Sequence, residues 1–292
     1  MREILTLGAL LVTTSCANQA VQSTAQKSSS DELIRADLVP VDQFILDPRE
    51  APEDNPYGSQ FEAQRQQDVE IPKVGTVAAF SFIGRNFIPD QKVTLASQSL
   101  YGAIKPLYEY QADDDGFLGR QIPEGTMMLE NDVWLMFDFY KGQPVRYWLY
   151  TKDGKVRIST LFIPYPIETQ ARDGAKISIR RLTPDARLVI CEGVDFLPDE
   201  RLFITTQAAG QMVANTPIAC ANGSFSMVLE PGASGKTGGK ALVEVKRANE
   251  RLVLDYDWGC EAINPKKRLA PAKYMEQDVL SKLSQESAGQ PK

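Results

Sequence analysis

Residues 80–92 read Phe-Ser-Phe-Ile-Gly-Arg-Asn-Phe-Ile-Pro-Asp-Gln-Lys, and residues 189–201 read Val-Ile-Cys-Glu-Gly-Val-Asp-Phe-Leu-Pro-Asp-Glu-Arg. At an offset of 109, Gly84 meets Gly193, Asn86 meets Asp195 and Phe87 meets Phe196. Pro89 meets Pro198, and Asp90 meets Asp199. A self-match that keeps its order along the chain marks a duplicated unit. The match continues with Asp115-Gly116-Phe117 against Asn222-Gly223-Ser224-Phe225. Next the strand-like run Trp134 to Phe139 aligns with Ala241 to Val245. The turns Lys141-Gly142-Gln143-Pro144 and Arg247-Ala248-Asn249-Glu250 follow, and then the runs Val145 to Tyr150 and Arg251 to Asp257.

Each unit reads as all-β. Apolar residues alternate, as in Val93 and Leu95 or Leu202 and Ile204, which is the period of a half-buried strand. Turn signals separate the runs: Asp115-Gly116, Lys152-Asp153-Gly154, Asn222-Gly223 and Pro231-Gly232. Short strands at this spacing, in units of this length, predict sandwiches. The expected boundaries are 69–168 for the first and 172–262 for the second. In the Phe-x-Pro-Asp corner, proline restricts φ and the phenylalanine ring can seal one end of the sandwich.

The pattern resembles the Ig-like β-sandwich modules of bacterial surface proteins. Their repeats carry Gly-x-Gly-Phe-x-Pro-Gly-Glu near the start, a Gly-Ser-Phe strand in the middle and a Pro…Gly turn before the penultimate strand. Gly193, Phe196, Pro198, Glu200, Gly223-Ser224-Phe225, Pro231 and Gly239 keep that order. Asp195 and Asp199 stand where the family has its second and third glycines. The resemblance implies two tandem Ig-like β-sandwiches and says little about function.

Composition narrows the chemistry. The chain has 292 residues, a formal net charge of −6, 4 cysteines and no histidine. A mildly acidic chain lacks the basic face that nucleic-acid binding requires. Without histidine there is no Ser-His-Asp triad, no Cys-His pair and no HExxH zinc helix.

The first sixteen residues carry an address. Met1-Arg2-Glu3 precede a mostly apolar run from Ile4 to Val12, then Thr13-Thr14-Ser15-Cys16. A basic start, a short apolar core and small residues make a secretion signal. The run is too short to span a bilayer, which takes ~20 residues. Ending on cysteine, the segment resembles the lipobox of bacterial lipoproteins, with Thr13 where the family prefers leucine. The resemblance implies a signal peptide at 1–15, a diacylglycerol on Cys16 and membrane anchoring through that lipid. Ala17 follows the cysteine, which in the enterobacterial sorting pattern implies delivery to the outer membrane. Residues 16–68 are expected to be a lipidated tether and an irregular segment. Residues 17–32 are rich in Ser, Gln and Ala, and residues 47–68 are rich in Pro, Asp, Glu and Gln.

The remaining cysteines, Cys191, Cys220 and Cys260, all lie in the second unit. Export favours disulfides, and three cysteines allow one bridge and one thiol left over. In Ig-like sandwiches the first and last strands of a module lie side by side, so the resemblance favours Cys191–Cys260, with Cys191–Cys220 next. No metal site or cofactor is expected. Asp113-Asp114-Asp115-Gly116 reads as a hairpin turn, since its spacing does not fit a calcium loop. Gly235-Lys236-Thr237 has Glu230 where a phosphate loop needs its first glycine, and leads into a strand. Glu130 and Asp132 have no positioning signal that would make them a glycosidase pair. Trp134, Tyr140, Tyr147, Trp148 and Tyr150 are the aromatic binding candidates, with core and inter-domain packing as the competing role. Residues 263–292 form a tail, with Met275, Val279 and Leu283 at the spacing of a short helix.

These readings favour a non-catalytic binding or scaffolding protein that displays loops and strand edges to an envelope or surface protein or a glycan. A structural subunit of an envelope or secretion assembly is the first alternative. A hydrolase with an accessory sandwich is the second.

Overall fold

A computed structural model describes residues 55–271, apart from 101, 124, 233, 234, 248 and 249. Its regular elements are β-strands and two short 3-10 turns. The first module holds β1 (Gln60–Arg65), β2 (Val69–Ile71), β3 (Gly75–Arg85), β4 (Lys92–Ser99), β5 (Lys105–Ala112), β6 (Leu118–Ile122), β7 (Gly125–Met128), β8 (Trp134–Met136), β9 (Val145–Thr151) and β10 (Arg157–Phe162). One sheet has the order β1-β3-β2, with β8 also on β3. The other has the order β10-β9-β4-β5-β6-β7. Phe82, Leu95, Tyr110, Leu118 and Leu149 fill the space between them.

The second module holds β11 (Ile167–Gln170), β12 (Lys176–Arg181), β13 (Val189–Val194), β14 (Phe203–Ala208), β15 (Gln211–Asn215), β16 (Phe225–Leu229), β17 (Gly238–Lys246) and β18 (Arg251–Gly259). Its sheets run β11-β12-β13-β16 and β15-β14-β17-β18. Ile177, Ile179, Leu202, Ile204, Val243 and Trp258 form its core. The chain is therefore all-β, with two β-sandwich modules in tandem.

Sheet order corrects the second half of the repeat alignment. The order β10-β9-β4-β5 in the first module matches β18-β17-β14-β15 in the second. Val145–Thr151, not Trp134–Phe139, thus stands in the place of β17, and Lys152-Asp153-Gly154 is the counterpart of the Arg247–Glu250 turn. Between β6 and β9 the first module inserts β7 and β8, where β16 leads directly to β17 in the second, and this insertion displaced the alignment by one strand. A second correction concerns the expected irregular segment before residue 69. It contains β1, which alternates exposed Gln60 and Glu62 with half-buried Phe61 and Ala63. Phe61 packs on Phe82 with ring centroids 5.6 Å apart. Six residues flanked by Pro, Asn and Gln give too short a period to stand out.

The first half of the repeat is preserved down to single hydrogen bonds. The Phe87 and Phe196 amides donate to Gly116 O (3.2 Å) and Gly223 O (3.0 Å). Those of Asp90 and Asp199 donate to Ala112 O (3.0 Å) and Ala219 O (3.2 Å). Asn86, Asp90, Asp195 and Asp199 all have φ near +60°, a region that Asn and Asp tolerate better than bulkier residues. Gly84 and Gly193 leave room for a facing side chain, Leu118 in one module and Phe225 in the other. Leu118 is thus the counterpart of Phe225.

Both Phe-x-Pro-Asp corners lie away from the seam between the modules. In the first, the corner follows Arg85, at the opposite end of β3 from the seam-side residues Ala78 and Met136. In the second, it follows the end of β13, whereas Arg181, whose amide donates to Gly142 O (2.9 Å), pairs with the start of β13. β11 carries the chain away from the seam so that β12 can run back toward it.

Candidate functional site

The second module exposes a plain strand edge. Among the described residues β15 pairs only with β14, from Ala208↔Gln211 to Ile204↔Asn215. The hairpin turn Ala209-Gly210 has both φ values positive, at 49° and 80°, matching the twist of the flanking strands. Among the described residues the other edge of β15 has no strand partner. Gln211–Asn215 contains no charge and no proline, the usual protections of an edge strand. Met212, 69% exposed, and Phe203, 41% exposed, add apolar side chains on and beside it. Lys246 Nζ sits 5.8 Å from the centre of the Phe203 ring. The counterpart edge in the first module, β5, carries Lys105, Pro106 and Glu109. It also has a register break against β4 at Leu95/Ala96 and is partly covered by β6. Edge protection thus differs between two otherwise matching positions.

The aromatic candidates divide among three environments. Tyr147 lies in the first core, its ring 4.5 Å from that of Phe82, and burial pushes its hydroxyl pKa up to about 12. Trp148 lies on the opposite face of β9 yet is only 7% exposed. Arg146 and Arg157 cover it at 5.3 and 4.7 Å, and its Nε1 donates to Gln98 Oε1 at 2.9 Å. Tyr150, on the same face of β9, is half-buried. Trp134 is half-buried and meets Tyr108 edge-on at 5.4 Å. Tyr140 packs in the seam between the modules. The five residues therefore form no common patch.

The distal corner of the second module holds an ion cluster that the repeat alone does not reveal. Arg247 donates to both carboxylate oxygens of Glu200 (2.8 and 2.9 Å) and to Asp173 (2.8 Å), and stacks 5.0 Å from Phe196. Hydrogen bonds from Arg247 hold the carboxyls of Glu200 and Asp173 below their ordinary range and raise the guanidinium pKa in turn. The first module has Gln91 in place of Glu200.

The expected disulfides do not form. Cys191 and Cys260 are both free. Cys191 is not on the first strand of its module: β11 and β12 precede it, and the strand packed beside β18 is β11. The Cys191 side chain enters the core, where burial pushes its thiol up to about 12. Cys260 lies exposed just beyond β18, 3.6 Å from Thr237 Oγ1. Cys220 is half-buried in the turn before β16, where its amide donates to Ser224 O (2.7 Å). Cys16 lies outside the described residues, as does the expected helix at 272–285.

Two of the acidic candidates, Asp113 and Asp132, have structural partners. Asp113 Oδ1 accepts the amides of Asp115 (3.1 Å) and Phe117 (2.8 Å), closing a turn. Asp132 Oδ2 accepts from the Tyr110 hydroxyl (2.9 Å) and Arg120 Nε (3.0 Å), while Glu130 points to solvent. Gly235-Lys236-Thr237 leads into β17, a strand, as its spacing predicts. Among the described residues no group of three or more metal-ligating side chains occurs.

No protein family and no curated protein matches the chain. Solved structures do. A tetra-tandem repeat from the extending region of a large adhesion protein aligns at 16% identity and a TM-score of 0.23, over 69% of this chain and 49% of that one. A β-glucuronidase from Parabacteroides merdae aligns at 11% identity and a TM-score of 0.23, over 68% and 24% respectively. A two-domain fibronectin type-III segment of chicken tenascin aligns at 12% identity and a TM-score of 0.20, over 68% and 97%. The chain spans about half the length of the adhesion-protein structure and about a quarter of the glucuronidase. At these scores the likenesses carry no argument about function.

Proposed function

We propose that this protein is an exported bacterial lipoprotein, held in the outer membrane through a lipid on Cys16, that works by contact and not by catalysis. The observation that carries the contact reading is the uncharged edge of β15, unpaired among the described residues, with Met212 and Phe203 beside it. Such an edge offers a row of backbone donors and acceptors, so an added strand from an envelope or surface protein gains main-chain hydrogen bonds there. The tether after Cys16 would carry the two modules away from the lipid. A glycan is the weaker ligand class, since the five aromatic candidates do not share a surface.

Site-specific photo-crosslinking in cells tests the reading. A crosslinking residue placed at Met212 should give one discrete adduct with an envelope protein, and the same residue at exposed Lys152 should not. No adduct at Met212, or identical adducts at both sites, would count against β15 as the contact edge.

A further inference from the structure

We propose that residues 263–271 form a strap that makes the two modules one rigid body, with Tyr140 as its latch. After β18 the chain turns at Gly259–Ala262, and Ala262 is buried in the second core. Asn264 caps the 3-10 turn Pro265–Lys267 by accepting the Lys266 amide at 3.1 Å. Lys267 Nζ, 3.0 Å from Asp257 and 2.8 Å from Glu261, ties this turn to the second module. The next residues cross to the first. The Leu269 amide donates to Phe139 O (2.8 Å), and the Asp138 amide donates to Ala270 O (3.1 Å). Ala270 is buried with Ile71 and Val77 in a small apolar cluster of the first module.

The latch joins three separate segments. The centre of the Tyr140 ring is 5.3 Å from the Arg181 guanidinium and 5.4 Å from that of Arg268. Its hydroxyl donates to Ile263 O (2.9 Å) and accepts from Arg268 Nε (3.1 Å). Arg181, at the end of β12, donates through Nε to Lys141 O (2.8 Å) and through Nη1 to Ala262 O (2.9 Å). One buried guanidinium therefore holds a carbonyl of each module. Ala270 has φ +46°, a conformation that a non-glycine residue keeps when its surroundings impose it. Both the strap and the end of β12 therefore reach across the joint. A pair of modules linked by chain alone would be expected to move relative to each other; the strap removes that freedom and fixes the spacing of the two distal corners.

Small-angle X-ray scattering of the full chain tests this, with Ala270→Asp as the first variant and a chain ending at Asn264 as the second. Ala270→Asp places a carboxylate in the Ile71/Val77 cluster, while the truncation removes the strap and keeps Ala262. Near-ultraviolet circular dichroism monitors the module interiors. With those signals intact, both variants should show a larger radius of gyration and a broader distance distribution than a control chain ending at Pro271. The truncation decides the matter if Ala270→Asp disturbs its module. A truncated chain that scatters like the control, after allowance for the missing residues, would overturn the strap. Failure to find a partner at β15 would leave this result untouched.

Discussion

Gly193→Ala should destabilise the second module by about 2–4 kcal/mol, and the geometry says why. A Cβ on Gly193 would lie 2.0 Å from Phe225 Cε1, 2.5 Å from Phe225 Cδ1 and 2.8 Å from Phe196 Cε2. The two rings meet edge-on at 5.3 Å, and both are nearly fully buried. Neither can swing into solvent, so the added methyl must displace packed rings. Overpacking a core costs roughly 1–3 kcal/mol, and loss of a well-placed aromatic pair adds about 0.5–1.5 kcal/mol. At the matching position in the first module the clash is milder, since a Cβ on Gly84 would meet Leu118 Cδ1 at 2.7 Å. That atom ends a flexible side chain, so Gly84→Ala should cost only about 1 kcal/mol. The repeat also supplies a rescue. Phe225→Leu installs the residue found at Leu118 and should restore most of the stability in the Gly193→Ala background, although alone it costs about 1–2 kcal/mol. Urea unfolding of the four chains, followed by tryptophan fluorescence, gives the coupling energy of this cycle. Additive losses, or a Gly193→Ala chain within about 0.5 kcal/mol of wild type, would refute the reasoning.

Three further outcomes follow from named contacts. The Tyr256 hydroxyl is buried without a hydrogen-bond partner among the described residues. Tyr256→Phe should therefore raise the urea midpoint, by up to about 1–2 kcal/mol of stability; a clear fall would show an unrecognised partner. Glu200 and Asp173 have lowered pKa values in the folded state, chiefly through Arg247. Their contribution is present above the unfolded carboxylate range near ~4 and is lost as pH falls through the lower folded values. Glu200→Gln should flatten the acid limb of the stability curve, and an unchanged limb would contradict the pairing. Maleimide labelling of native protein should modify exposed Cys260 and spare Cys191 until unfolding. Mass mapping that finds Cys191 labelled first would contradict its placement.

The architecture was legible because the corner motif is demanding. Gly84 and Gly193 are required by close side chains, Gly116 and Gly223 by close backbone, and Asn86 and Asp195 by positive φ. Constraints of that kind recur in the same order wherever the fold recurs. The strands after the corner were harder to align, because the added strands β7 and β8 leave no signature beyond more alternation. β1 was hidden by its length. The disulfide expectation failed because it assigned Cys191 to the first strand of its module, before β11 and β12 were counted. The strap was invisible for another reason. Tyr140, Arg181 and Arg268 are far apart in sequence and are joined largely by backbone carbonyls, which carry no residue code. The β15 edge was legible only as an absence of charge, and its meaning depends on knowing which strand ends the sheet.

The lipid proposed on Cys16 matters most, because it would put the modules at a membrane where a contact function makes sense. Cells expressing the full chain, fed an alkyne-bearing fatty acid, should incorporate label into the protein, and the protein should fractionate with the outer membrane. In Cys16→Ser the label should vanish and the protein should leave the membrane fraction. Label that persists in Cys16→Ser, or a wild-type chain that is never labelled, would contradict it.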